Sequence, residues 1–183
     1  MHENNKTLTL KEFVSNERYN KCESIVFNWL VYGDNDLVYY DNRTLLERFT
    51  KPDYKRPANI FIKSIVKGNL NITVFMPGSS NHVPNKQLYI CDSKGDKFKF
   101  NPYTLKPPQF DYAYLIHFST KTAEEFVEKT KRGFPGNLKL NIEGRLNLFF
   151  RYNKFTEEKF KLFEKMFNKT LKRSDYQNIY GQL

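Results

Sequence analysis

Asp34-Asn35-Asp36 places two carboxylates one residue apart directly after an apolar run. Such a pair can share a hard divalent cation, because carboxylate oxygens suit Mg²⁺ and Mn²⁺, and either acid can act as general base toward a hydroxyl. The same three residues are also ordinary turn chemistry, since Asp and Asn side chains bond their own backbone two residues on. The spacing leaves both readings open. His117 closes another apolar run and precedes Ser119, Thr120 and Lys121. Its imidazole can ligate a metal beside a carboxylate or a diphosphate, or sit satisfied as a structural side chain. A strand-to-helix junction at residues 116–121 offers free backbone N–H groups and partial positive charge, which suits phosphate, and Lys121 adds a cation there. Arg48, Lys63 and Lys67 stand near strand ends, where charge-assisted bonds to a diphosphate are available. Lys63 lies inside an apolar run and must reach water or a partner. Trp29 can floor a sugar site or simply pack, and His82 is a loop residue able to meet substrate.

These residues need elements to carry them. Residues 24–32 form a nearly continuous β-branched and aromatic run stopped by Gly33-Asp34-Asn35-Asp36, which predicts a buried strand and a turn. Shorter strands are expected over residues 60–66, 72–76, 87–91 and 112–118, with Ser93-Lys94-Gly95-Asp96 as a hairpin turn. Thr9 to Val14 can open a short helix and residues 44–49 a single helical turn. Thr122-Ala123-Glu124-Glu125 fits a capping box, Ala123, Phe126, Val127 and Thr130 make one apolar stripe, and Gly133 closes that helix. A further helix is expected from Glu157 to Lys172, followed by a frayed tail from Ser174. Together these predict an α/β fold, a mixed, mostly β sheet flanked by helices.

With 39% hydrophobic and 27% charged residues in 183, the chain has the balance of a globular domain of ordinary size. No apolar run approaches the roughly 20 residues of a membrane span, and no apolar signal region opens the chain, so a cytoplasmic protein is expected. Cys22 and Cys91 show neither zinc nor disulfide-framework spacing and are expected as reduced, buried thiols. The net charge of +10 predicts attraction to polyanions or phosphorylated ligands. No RNA-recognition, KH or zinc module matches and no basic recognition helix appears. A basic polyanion-binding module stays as the alternative, although nucleic acid is not the expected partner.

Several segments, in order, resemble the acceptor-side, C-terminal half of glycosyltransferase families 92 and 2, of GT-A type. Phe27-Asn28-Trp29-Leu30-Val31-Tyr32-Gly33 is similar to the family's Asn-Trp-x-x-Phe/Tyr-Gly segment, followed by Leu46-Glu47-Arg48-Phe49 and Ile62-Lys63-Ser64-Ile65-Val66. Asn81-His82-Val83-Pro84 looks like its His-containing loop. Ile116-His117-Phe118-Ser119-Thr120-Lys121-Thr122-Ala123-Glu124-Glu125-Phe126, with Lys131-Arg132-Gly133, resembles its closing His-Tyr-x-x-Lys-Ser-x-x-Glu-Phe and Lys-x-x-Arg-Gly signature; Phe118 and Thr122 depart from that pattern. The resemblance implies a domain over residues 1–136 with a helical extension over 137–183, and an upstream half with an Asp-x-Asp-Glu-Phe metal motif. It implies transfer of a sugar from a nucleotide-sugar to a glycan hydroxyl with Mn²⁺ or Mg²⁺ in the complete enzyme. His117 would approach the metal, Lys121 and Arg132 would neutralise phosphate, and Trp29 would lie beneath the acceptor sugar. In the family's order Asp34-Asn35-Asp36 is the loop after the Asn-Trp strand, facing the acceptor, so a general-base role for Asp34 or Asp36 comes from chemistry alone. A noncatalytic remnant, a missing half supplied by another polypeptide, and self-association through an uncovered sheet edge complete the expectations.

Overall fold

The structure is a computed structural model and describes residues 2–3, 6–68, 70, 88–97, 104–133 and 141–180. The chain divides into two compact units, each built from two stretches: Met1–Leu30 with Ala58–Leu115, and Val31–Pro57 with Ile116–Leu183. His82 and the strand expected over residues 72–76 lie outside the described residues.

The chain opens with a two-stranded antiparallel ribbon, β1 (His2–Glu3) and β2 (Lys6–Thr7), and the short helix α1 (Leu10–Val14). Thr9 and Glu12 form a capping box at the start of α1. Then comes β3 (Ser24–Tyr32), the strand predicted from its β-branched and aromatic run. It pairs antiparallel with β4 (Ile62–Val66), Ile25 opposite Ile65, and parallel with β5 (Ile90–Cys91). The last strand, β6 (Leu115–Phe118), also pairs with β3. The result is mixed α/β, a four-stranded mixed sheet accompanied by helices.

Side chains of β3 alternate as a strand requires. Ile25 and Phe27 join Phe13, Tyr19 and Ala113 in one cluster, whereas Val26 joins Ile62, Leu88, Ile90 and Leu105 in another. Asn28, 1% exposed, spends its amide on the backbone: Nδ2 donates to the carbonyls of Asn59 (3.0 Å), Ile60 (3.2 Å) and Leu105 (3.1 Å), and Oδ1 accepts from Gln109 N at 3.0 Å. That capture explains why β4 starts at Ile62, later than expected, behind a 3₁₀ turn over Pro57–Ile60. The expected turn at 93–96 is present: Asp92 Oδ1 accepts from the N–H groups of Lys94 and Asp96. Gly95 takes φ 92°, which a side-chain-bearing residue rarely adopts.

The expectation of free thiols is wrong. Cys22 and Cys91 form a disulfide with Cα atoms 5.7 Å apart. The parallel pairing of β5 with β3 brings them together across a sequence separation of 69, a distance at which no local spacing signals a bridge.

In the second unit the helices are α2 (Leu45–Arg48), α3 (Ala123–Arg132), α4 (Ile142–Tyr152) and α5 (Glu157–Phe167). The capping box at Thr122 and the stop at Gly133, φ 84°, are as predicted. Helix α4 has no counterpart among the expected elements. Its signal is Asn141 as cap with Ile142, Leu146, Phe149 and Phe150 at helical spacing, interrupted by the poor helix former Gly144. Helix α5 ends earlier than Lys172, where Asn168 turns left-handed at φ 48°. Phe126, Phe149, Phe150 and Phe163 form the centre, with ring centroids 4.9 Å apart for Phe126–Phe149 and 5.0 Å for Phe149–Phe163. The tail is not frayed throughout: Tyr176 is 3% exposed, with its ring 5.5 Å from Phe150.

The disulfide closes a long loop and restricts the unfolded chain, an effect of about 2–4 kcal/mol. Cys22→Ser and the reduced protein are expected to melt at lower temperature than the oxidised protein, and a thiol titration under denaturing, non-reducing conditions should find no free cysteine.

Candidate functional site

The acidic turn is built on a buried ion pair. Asn35 and Asp36 have φ of 52° and 64°, and Leu37 N donates to Asp34 O at 3.0 Å. Consecutive positive φ values favour Asn and Asp over β-branched residues, which is why this tripeptide turns here. Asp34, 3% exposed, sets its Oδ2 2.7 Å from Nζ of Lys159, which is fully buried on α5. Lys159 also donates to Lys154 O at 3.1 Å and lies 3.5 Å from Asp36 Oδ1. Asp34 Oδ1 accepts from Asp36 N at 2.9 Å, and Asp34 N donates to Asn153 Oδ1 at 2.7 Å. Gly33 keeps this approach open, since a Cβ there would stand 3.0 Å from Asn153 Oδ1 and press on that amide.

The two acids therefore divide their roles. Burial raises the Asp34 carboxyl above its usual range while the Lys159 ammonium opposes the shift. Asp34 holds the turn, and the solvent-facing carboxylate is Asp36, 59% exposed. Asp36 borders a cavity of about 250 Å³ together with Lys51, Asp53, Arg56, Tyr152, Lys154 and Tyr180. Arg56 braces its wall: Nε bonds Asp53 at 2.7 Å, Nη1 donates to Arg151 O at 2.7 Å, and the guanidinium lies 4.9 Å from the Tyr180 ring.

A second cavity, of about 430 Å³, gathers two more of the expected residues. Lys121 and Arg132 line it with Tyr40, Phe118, Lys129, Met166 and the acids Glu124, Glu125 and Glu128. Lys121 has φ 59° and pairs with Glu125 at 3.6 Å. Burial, together with Lys121, Arg145 and Arg132, lowers the Lys129 ammonium, whose Nζ donates to Ser119 O at 2.9 Å. The start of α3 is not the open phosphate seat expected. Glu124 N donates to Val38 O at 3.0 Å and Glu125 N to Thr122 Oγ1 at 3.1 Å, so those N–H groups are taken inside the unit. An anion in this cavity would meet Lys121, Lys129 and Arg132, but also the carboxylates of Glu124, Glu125 and Glu128. From β6 the wall is Phe118 rather than His117.

The other expected residues go elsewhere. Arg48 is buried against Glu125, with Nη1 2.7 Å from Oε2, and works as a brace. Burial would raise Glu125, but the Arg48 ion pair and the Thr122 bonds outweigh it and hold this carboxyl low. Lys63 and Trp29 belong to the first unit, where the ammonium lies 5.6 Å from the indole centroid and burial lowers the lysine. Among the described residues no cluster of three or more His, Cys, Asp or Glu can hold a metal.

The two cavities share a polar wall. Asn153 Nδ2 donates to Thr120 Oγ1 at 3.1 Å while its Oδ1 accepts from Asp34 N; Thr120 lines the cavity of Lys121 and Arg132, and Asn153 that of Asp36. Sequence reasoning missed Asn153, Lys159, Tyr152 and Tyr180, which lie more than a hundred residues from the turn they complete. No protein-family model, curated protein or solved structure matches the chain.

Lys159→Met should leave Asp34 buried and uncompensated, at a cost of about 3–5 kcal/mol near pH 7. Without the ammonium that opposes it, the Asp34 carboxyl rises further, and the variant regains stability when that acid is protonated. The loss measured by urea unfolding should therefore shrink as pH falls toward the ordinary aspartate value of 3.8. A loss that is independent of pH, or no loss, contradicts the ion-pair assignment.

Proposed function

We propose that this chain is the acceptor-side part of a GT-A-type glycosyltransferase. The supporting observation is the pair of cavities backed on one hydrogen-bonded wall, one lined by Lys121, Lys129 and Arg132 alongside Glu124, Glu125 and Glu128, the other by the Asp36 carboxylate, Lys51, Lys154 and two tyrosines. The first suits the phosphates of a nucleotide-sugar, whose charge grows on departure. The second suits an acceptor sugar, with rings for its apolar face and a carboxylate for its hydroxyls. In the transfer, the bond from the anomeric carbon to the diphosphate oxygen breaks, a bond to the acceptor oxygen forms, and the acceptor proton passes to Asp36. The divalent metal expected for the complete enzyme would take its ligands from beyond the described residues, and no step is assigned to it.

Among the described residues no helix is long and apolar enough to cross a membrane. Disulfides persist in oxidising surroundings and are rare in the cytosol, so the Cys22–Cys91 bridge weighs against the cytoplasmic setting expected from the sequence.

Calorimetry with a panel of nucleotide-sugars, at low and at physiological salt, tests this reading. Saturable binding is expected, weakened about tenfold, or roughly 1.4 kcal/mol, by Arg132→Ala. Asp36→Asn should leave nucleotide-sugar affinity unchanged. Tight binding to RNA or DNA that collapses with salt, with no saturable nucleotide-sugar binding, would replace it with the basic-module reading.

A further inference from the structure

The cavity at the acidic turn holds more positive charge than its carboxylates use. Asp34 is taken by Lys159 and Asp53 by Arg56. What faces the open space is the Asp36 carboxylate and the exposed side chains of Lys51 and Lys154, and neither lysine has a carboxylate partner among the described residues. The ring of Tyr180, 44% exposed, stands at the same rim, steadied by Arg56. A neutral sugar would use Asp36 and the ring but leave both ammonium groups idle. A bare anion would meet the ammonium groups but repel Asp36. At about 250 Å³ the space lies below the ~300–1,000 Å³ of ordinary small-molecule pockets, which favours one sugar residue over a chain.

We propose that this cavity recognises a saccharide bearing one acidic substituent, a uronate carboxylate or a sugar phosphate. Its hydroxyls bond Asp36, its ring face meets Tyr180, and its anionic group is held by Lys51 and Lys154. Lysine acts as a compact point charge without the fork geometry that sorts planar from tetrahedral anions, so both substituents satisfy the same chemistry. This rests on the acceptor-site reading above and adds the substrate class.

The test is calorimetry and saturation-transfer NMR on the whole chain with glucuronic acid, glucose 6-phosphate, glucose and inorganic phosphate. At least one acidic sugar is expected to bind about tenfold or more tightly than glucose. The double variant K51M/K154M should lose that preference while keeping glucose binding, and D36N should weaken glucose, glucuronic acid and glucose 6-phosphate but not phosphate. Thermal unfolding of each variant checks that it folds. Equal affinity for glucose and the acidic sugars overturns the acidic-substituent proposal and leaves the acceptor site standing. Phosphate binding as tightly as glucose 6-phosphate, unaffected by D36N, overturns it in favour of a simple anion site. Absence of any sugar binding removes the acceptor-site reading as well.

Discussion

A fully buried ammonium group has to be neutralised, and in the second unit much follows from how Lys159 is. Removing an ammonium and a carboxylate from water costs several kcal/mol each, and their attraction seldom returns more than that. The pair with Asp34 is therefore weak as a source of stability and strong as a constraint on geometry. Lys159 reaches Asp34, Asp36 and the carbonyl of Lys154 from one atom. The turn after β3, the link between α4 and α5, and the first turn of α5 must all meet there. Asp36 consequently stands beside the cavity with its backbone already fixed by the Asp34 carboxylate.

The surrounding aromatic core makes that constraint affordable in packing terms. Phe149 and Phe150 on α4 meet Phe163 on α5, and Phe126 on α3 meets Phe149 and Phe163. These tilted and edge-on contacts hold the three helices in one arrangement. Asn153 ends α4 and turns its amide to Thr120 and Asp34, so the position of the helix end determines the wall between the cavities. A shift of α4 would disturb both cavities together, although no lining residue had changed.

What could be read from the sequence was local. The run over Ser24–Tyr32 announces a strand because β-branched and aromatic residues fit a pleated, buried surface, and the Thr122 capping box with Gly133 announces both ends of α3. Helix α4 escaped notice because Gly144 in its first turn breaks the propensity, although its apolar spacing is helical. The disulfide and the Asp34–Lys159 pair could not be read, since each joins segments that only the folded chain brings together. For the same reason the Asp-x-Asp pair looked symmetric in sequence, whereas burial gives Asp34 to the scaffold and Asp36 to the solvent. Arg48 was a binding candidate by residue type and is a brace by placement.

Charge makes the same distinction on a larger scale. A net charge of +10 suggests a surface that tracks a polyanion, but binding of that kind needs cations free to replace counterions along a path. Many of the described cations are not free in that sense. Arg43, Arg48, Arg56 and Arg173 each bond a carboxylate, and Lys159 and Lys169 do the same. Among the described residues of the second unit, Lys51 and Lys154 have no carboxylate partner at one cavity, while at the other Arg132 has none and Lys121 keeps only a long, half-exposed contact with Glu125. Exposed lysines elsewhere in that unit, among them Lys55, Lys161 and Lys165, also bond no carboxylate among the described residues, so ion pairing lowers the number of cations open to a polyanion without confining them to the two cavities.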